Sequence, residues 1–256
     1  MIEMLDPKTL TVFVTGASAG FGAATCRRFA QAGARVVAAG RRADRLNALA
    51  KELGARCHPV TLDVRNRKAV EQGFADLPAG FRDIDVAVAN AGLALGLQPA
   101  YEADLSDWDD MVDTNIKGLI YTVRAVLPGM VARDRGHVVT IGSVAADYPY
   151  PGGNVYGATK AFVKQFALNL RADLLGKNVR VTNIEPGMAE TEFSLVRFKG
   201  DSDKAKAPYK GVQPMSADDI AETIFWSCTL PRHLNINRMQ MMPVMQAFGP
   251  FQFARK

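Results

Sequence analysis

Cysteine is scarce in this 256-residue chain, and its three copies, Cys26, Cys57 and Cys228, stand far apart. None belongs to a Cys-x-x-Cys pair, so neither a zinc site nor a redox dithiol is offered; free buried thiols in a reducing cytoplasm are expected. No metal-binding cluster is visible. No stretch approaches the ~20 uninterrupted apolar residues of a membrane-spanning helix, so no membrane partner is expected. The first seven residues carry acids and no basic segment, which argues against a signal peptide. There is no long Lys/Arg block either. The 31 Lys and Arg residues are interleaved with 26 Asp and Glu, for a net charge of +5. That pattern disfavours nucleic acid as a partner and suits an anionic cofactor or substrate. Internal repeats and low-complexity tracts are absent too.

The composition, 48% hydrophobic and 22% charged, is that of a globular protein and excludes disorder, collagen and a disulfide scaffold. The length suffices for a sizeable core. Short apolar, β-branched runs fall at 9–14, 35–39, 57–61, 84–89, 137–141, 180–184 and 238–242. They are continuous rather than alternating, as expected of strands covered on both faces. Helical patterns separate them, including 22–31, 42–53 and 217–229. Ser106 reads as an N-cap, with acids in the next turn. Repeated strand–helix alternation predicts an α/β fold, a doubly wound parallel sheet with helices on both faces. Residues 197–214 are polar and Lys-rich with two prolines, a stretch too long for an idle connection. The reading is one domain over 1–256, with a lid at about 188–214.

The first strand runs into Thr15-Gly16-Ala17-Ser18-Ala19-Gly20-Phe21-Gly22, and a helix follows. Glycines there let the backbone turn sharply and approach a ligand. The free N–H groups of the helix start suit a pyrophosphate. At the end of the second strand, where an NAD-selecting enzyme carries an acid, stand Arg41 and Arg42. Two arginines favour a ribose 2′-phosphate. At about 1.5–3 kcal/mol per charged hydrogen bond, one or two contacts predict a preference of roughly 10- to 10⁴-fold for NADP. Asp63 and Val64, after the third strand, are positioned to meet adenine, although a loop cap would explain Asp63 as well.

The fifth strand ends in Ser143, and thirteen residues later Tyr156 and Lys160 share one helix face. A free tyrosine titrates near pH 10, and lowering that by about three units takes roughly 4 kcal/mol. A lysine cation at about 4.5 Å supplies that much at an effective dielectric near 20. Tyr156 could then give a proton to a carbonyl or take one from an alcohol, with Ser143 bonded to the same oxygen.

Thr15-Gly16-x-x-x-Gly20-x-Gly22, Asn90-Ala91-Gly92, Asn115, Ser143, Tyr156-x-x-x-Lys160 and Pro186-Gly187 with Thr191 together resemble the short-chain dehydrogenase/reductase family. The resemblance runs over essentially the whole chain. It implies a Rossmann-type sheet of about seven strands. It implies Tyr156 as acid/base, Lys160 tuning it and holding the nicotinamide ribose, and Ser143 orienting substrate. Asn115 would position a water in a proton relay. Asn90 and Gly92 would line the cofactor cleft, and Ile184, Pro186, Gly187 and Thr191 would lie on the nicotinamide side. Many members have Asn where Ala89 stands. That residue supports the sheet, so little catalytic effect is expected.

Further segments, among them Gly152-Gly153-Asn154-Val155-Tyr156, Thr191-Glu192-Phe193-Ser194 and Met241-Met242-Pro243-Val244, are similar to one branch, the NADP-dependent 3-hydroxy acid dehydrogenases. This likeness implies NADP(H) as cofactor and a small 3-hydroxy acid as substrate: L-serine, L-allo-threonine, or 3-hydroxypropionate and its malonic semialdehyde. A carboxylate in a partly dry pocket wants arginine's two-pronged cation. Arg197 is the first candidate and Lys199 the second, and Tyr148 and Tyr150 could wall the pocket. A broad carbonyl reductase and a non-catalytic NADP-binding protein stand as alternatives. The family's habit of packing two helices per subunit, here around 107–130 and 158–174, implies a homo-oligomer, a homotetramer by preference. The aromatic tail of Phe248, Phe251 and Phe253 is expected to pack on its own or a neighbouring subunit.

Overall fold

The structure, a computed structural model, describes residues 3–248 and 253–255. Its strands are β1 (Thr11–Thr15), β2 (Arg35–Gly40), β3 (Cys57–Thr61), β4 (Val86–Ala89), β5 (Gly136–Ile141), β6 (Val179–Pro186) and β7 (Arg238–Met241). Its helices are α1 (Gly20–Gln31), α2 (Ala43–Leu53), α3 (Arg67–Ala75), α4 (Leu105–Val112), α5 (Gly118–Ala132), α6 (Asn154–Asp173), α7 (Glu192–Arg197), α8 (Ser202–Lys206) and α9 (Ala217–Thr229). The strands pair in parallel in the order β3-β2-β1-β4-β5-β6-β7. After β3 the chain crosses back to the other side of β1. This reversal opens a crevice at the carboxyl ends of β1 and β4, where α/β sheets bind ligands.

The continuous apolar runs have a plain cause. Val12 and Val14 of β1 join Val36, Ala38, Val86 and Val88 in one core, beneath α1, α2 and α9. Phe13 joins Val37, Ala39 and Ala87 in another, beneath α5 and α6. Successive side chains enter opposite cores, so the central strands read as runs of apolar residues rather than as alternation.

Several boundaries differ from the sequence expectation. Asp6 and Pro7 start a 3₁₀ turn over Pro7–Thr9, so β1 begins only at Thr11. Asp104, not Ser106, caps α4: its carboxylate accepts from the Ser106 backbone N–H at 2.9 Å. The 107–130 region is not one regular helix, because a π-turn at Asp113–Lys117 separates α4 from α5. Nor is 197–214 bare loop. Asp201 caps α8, and Ser194 Oγ and Tyr209 Oη meet at 2.6 Å. A parallel bridge between Ala189 and Met215 ties the base of the segment. Near the C-terminus Phe253 pairs with Gln246, while Phe248 is exposed with its ring 6.1 Å from Tyr148. Phe251 lies outside the described residues.

Candidate active site

The turn after β1 holds Gly16 and Gly20 at φ of 67° and 51°, a region that disfavours other residues. A Cβ on Gly22 would stand 2.4 Å from the Gly16 carbonyl oxygen, so the helix can start this close only at glycine. Asn90 braces the turn, its Nδ2 donating to the Thr15 carbonyl at 2.9 Å. The N-cap of α1, Ala19, has no side-chain capping bond, which leaves the orphan N–H groups free for an anion.

Arg41 and Arg42 follow β2 on the cleft wall. Arg42 Nε donates to Ser18 Oγ at 3.1 Å, and one terminal nitrogen meets Glu192 at 3.1 Å. Asp63 also lines the cleft, but its carboxylate closes its own loop, accepting from the Arg65 backbone at 3.0 Å and from the guanidinium at 2.7 Å. Val64 is buried against Gly118, where a Cβ would meet it at 2.6 Å.

Beyond β5, Ser143 Oγ accepts from the Ala145 backbone at 3.1 Å and hydrogen-bonds Tyr156. Tyr156 and Lys160 sit at the start of α6, both buried. Lys160 Nζ donates to the Ile141 carbonyl at 2.8 Å and lies 5.7 Å from the Tyr156 ring centre. The π-turn delivers Asn115. Its Oδ1 accepts from the Leu93 backbone at 2.9 Å, and its Nδ2 donates to the Leu93 carbonyl at 2.9 Å and Thr159 Oγ1 at 3.0 Å. A Cβ on Gly92 would stand 3.2 Å from Asn115 Oδ1 and 3.6 Å from Lys160 Nζ, so glycine leaves room where the two converge.

The electrostatics differ from the sequence expectation. Burial pushes the Tyr156 phenol up to about 12, Tyr150 adding to it, while Arg197 and the Ser143 hydrogen bond pull the other way. Burial pushes Lys160 down to about 8. Lys160 thus does not lower the phenol here. Its ammonium is turned to a carbonyl, and desolvation outweighs distant charge.

Arg197, at the end of α7, donates to Tyr150 Oη at 2.6 Å. Its guanidinium carbon is 5.1 Å from the Tyr156 ring centre and 5.7 Å from that of Phe193. Arg197 Nε is buried without a hydrogen-bond partner. Lys199 goes elsewhere: exposed at φ 51°, it pairs with Asp107 at 2.9 Å and does not reach the cleft. Tyr148 turns to Gln240 at 3.2 Å.

Thr191 caps α7, accepting from the Phe193 backbone at 3.1 Å, and lies against Gly20. Pro186 and Gly187 line the cleft, and a Cβ on Gly187 would strike Gln246 Oε1 at 2.4 Å. Behind Ser143, the fully buried Glu185 accepts from Asn183 at 2.7 Å and Arg238 at 2.8 Å. Arg238 also reaches Asp147 at 2.6 Å, and Lys164 meets the same carboxylate. Glu192, Phe193 and Val196 also line the cleft. Sequence reasoning gave them no site role, and their signal was their place in the segments shared with the 3-hydroxy acid dehydrogenase branch.

The cleft, about 340 Å³, runs from Arg41 and Arg42 past the glycine turn to Ser143, Tyr156 and Lys160. An uncapped helix, a cradle that any Cβ would fill and cations at the far end fit a phosphorylated dinucleotide. Among the described residues, no group of three or more His, Cys, Asp or Glu could hold a metal ion, and no helix is long and apolar enough to cross a membrane. A glycine-rich turn before an uncapped helix and a buried tyrosine and lysine opening into one cleft at the sheet's switch point are the arrangement of a Rossmann-type oxidoreductase.

The chain belongs to the short chain dehydrogenase family, whose profile matches residues 10–200. It is 59% identical over 241 residues to the NADP-dependent 3-hydroxy acid dehydrogenase YdfG of Salmonella typhi, covering 94% of this chain and 97% of that one. It is 54% identical over 246 residues to serine 3-dehydrogenase of Agrobacterium fabrum, covering 96% and 98%. Among solved structures it is similar to the closed form of a serine dehydrogenase complexed with NADP+, with a TM-score of 0.92 and 55% identity over 96% of this chain and 99% of that one.

Proposed function

We propose that the protein moves a hydride between NADP(H) and the β-carbon of a small 3-hydroxy acid, such as L-serine, L-allo-threonine or 3-hydroxypropionate. The names of its relatives support this reading, and one observation beside the cleft carries it. Arg197 stands 5.1 Å from the Tyr156 ring with a buried, unpartnered Nε. An orphaned buried N–H costs about 1–3 kcal/mol, and a substrate carboxylate beside the tyrosine would satisfy it.

NADP(H), when bound, supplies the hydride and its acceptor. Gly16, Ser18, Gly20, Phe21 and Gly22 would cradle its pyrophosphate. Arg41 and Arg42 would hold the 2′-phosphate, and Asp63, Val64, Asn90, Gly92, Pro186, Gly187 and Thr191 would flank the rest. Tyr156 gives its proton to the carbonyl oxygen in reduction and takes the hydroxyl proton in oxidation. With the phenol at about 12, it stands ready as a donor. Oxidation needs the phenolate, which Arg197 and Ser143 favour. Ser143 bonds the same substrate oxygen as charge develops. Lys160, with Asn115 beside it, conducts the proton toward solvent, a task suited to an ammonium at about 8. Arg197 and Tyr150 receive the substrate carboxylate on the segment 188–214, which acts as a lid on a single domain.

The chain works as a cytoplasmic homotetramer. Buried, unpaired Cys26, Cys57 and Cys228 suit a reducing compartment. The deciding experiment compares initial rates for serine, 3-hydroxypropionate and a neutral alcohol of like size, each with NADP+ and NAD+. The acids should lead, with NADP+ the better cofactor. A faster neutral alcohol would overturn the carboxylate reading.

A further inference from the structure

We propose that Glu192 is a specificity-determining residue, an internal anion in the arginine site of the nucleotide 2′-phosphate that weakens NADP(H) relative to NAD(H). The proposal rests on the NADP reading above and adds a residue to it.

The geometry is specific. One nitrogen of Arg42 meets Glu192 Oε2 at 3.1 Å, while Arg45, three residues on, reaches the two Glu192 oxygens at 2.7 and 2.8 Å. A single carboxylate is thus shared by two guanidiniums. It stands on the cleft wall with Ser18, Arg41 and Arg42. Both arginines hold its carboxyl below the ordinary value, Arg45 most strongly. Arginine pairs of this kind receive carboxylate and phosphate by the same planar fork.

A 2′-phosphate reaching Arg42 therefore meets a negative charge already in place. It must displace Glu192 or bind against its repulsion, and either course weakens binding. A ribose 2′-hydroxyl carries no charge, and an acid near it can accept its hydrogen bond. Glu192 thus acts against the phosphate and leaves the hydroxyl unopposed. It is also the first residue of α7, five residues before Arg197. The helix that flanks the catalytic tyrosine thereby begins at the residue that meets the discriminating Arg42.

Exposed ion pairs are each worth about 0.2–1 kcal/mol, a factor of about 1.4 to 5 per pair. Glu192→Gln keeps the shape and removes the charge. Calorimetric titration of wild type and this variant with NADP+ and NAD+ tests the idea. The variant should bind NADP+ about fivefold more tightly and NAD+ within twofold of wild type. The NADP+ gain should shrink between low and high salt, because exposed charges are screened. Unchanged or weaker NADP+ binding in the variant would overturn the proposal, since a glutamate that merely orients Arg42 gives that result. If wild type binds neither dinucleotide, the NADP reading itself falls, and the NAD+ arm makes that failure recognisable.

Discussion

The guanidinium carbon of Arg197 lies 5.1 Å from the centre of the Tyr156 ring, and the same arginine donates to Tyr150 at 2.6 Å. A cation from the end of α7 is thus brought against the tyrosine of α6, although 41 positions separate them in the chain. It serves the proposed carboxylate site and favours the phenolate at once.

Replacing Arg197 should therefore affect acids and neutral substrates differently. Charged hydrogen bonds of about 1.5–3 kcal/mol correspond to roughly 10- to 150-fold. Arg197→Met should raise KM for the hydroxy acid within that range and change kcat/KM for a neutral alcohol only a few-fold. Steady-state kinetics on both substrates checks this.

Tyr156→Phe removes the proton carrier and keeps the ring against Phe193, 5.7 Å away. Positioned acid–base catalysis contributes about 10²–10⁴-fold. Turnover should fall at least that far, while NADP+ binding, followed by titration, should stay within about threefold. Unchanged turnover would remove Tyr156 from the mechanism.

Lys160 should leave a mark on stability. Its ammonium is held at about 8 by burial, below the ordinary 10.5. Below pH 8 both folded and unfolded states carry the proton, and the folded state bears the cost of burying the charge. Between about 8 and 10.5 only the unfolded state stays protonated, so stability rises with pH in that window. The full swing is on the order of 3 kcal/mol. Tyr156, Cys57 and Cys228, all raised by burial, act oppositely at high pH. The measurement is thus a difference: urea denaturation of wild type against Lys160→Met should shift in favour of wild type between pH 8 and 10.

Arg238 neutralises the fully buried Glu185. Arg238→Met leaves that buried carboxylate short of its main partner and should cost about 1–3 kcal/mol in chemical denaturation. Adding Glu185→Met should recover most of the loss. A double variant as unstable as Arg238→Met alone would show that shape, not charge, is what Arg238 provides.

The sheet was largely legible because strands buried on both faces favour continuous apolar runs, as Phe13 shows between Val12 and Val14. The glycine turn was legible because only glycine tolerates the contacts at positions 16 and 22. The start of β1 was not, because Asp6 and Pro7 impose a local turn on an otherwise strand-like run. Lys199 stood second to Arg197 as a carboxylate cation, yet the backbone sends it to Asp107.

The sequence by itself determined the layered architecture, the glycine-rich turn and which reactive residue types the chain offers, because periodicity, glycine sterics and side-chain reactivity are local properties. The tertiary structure alone decided which distant groups share a site. Glu192 reaches Arg42 and Arg45, and Glu185 finds Arg238, through strand order and helix placement. It also decided protonation, since burial raised Tyr156 and lowered Lys160 more than their spacing along one helix could do the reverse. Desolvation depends on everything packed around a group, and no stretch of sequence contains that.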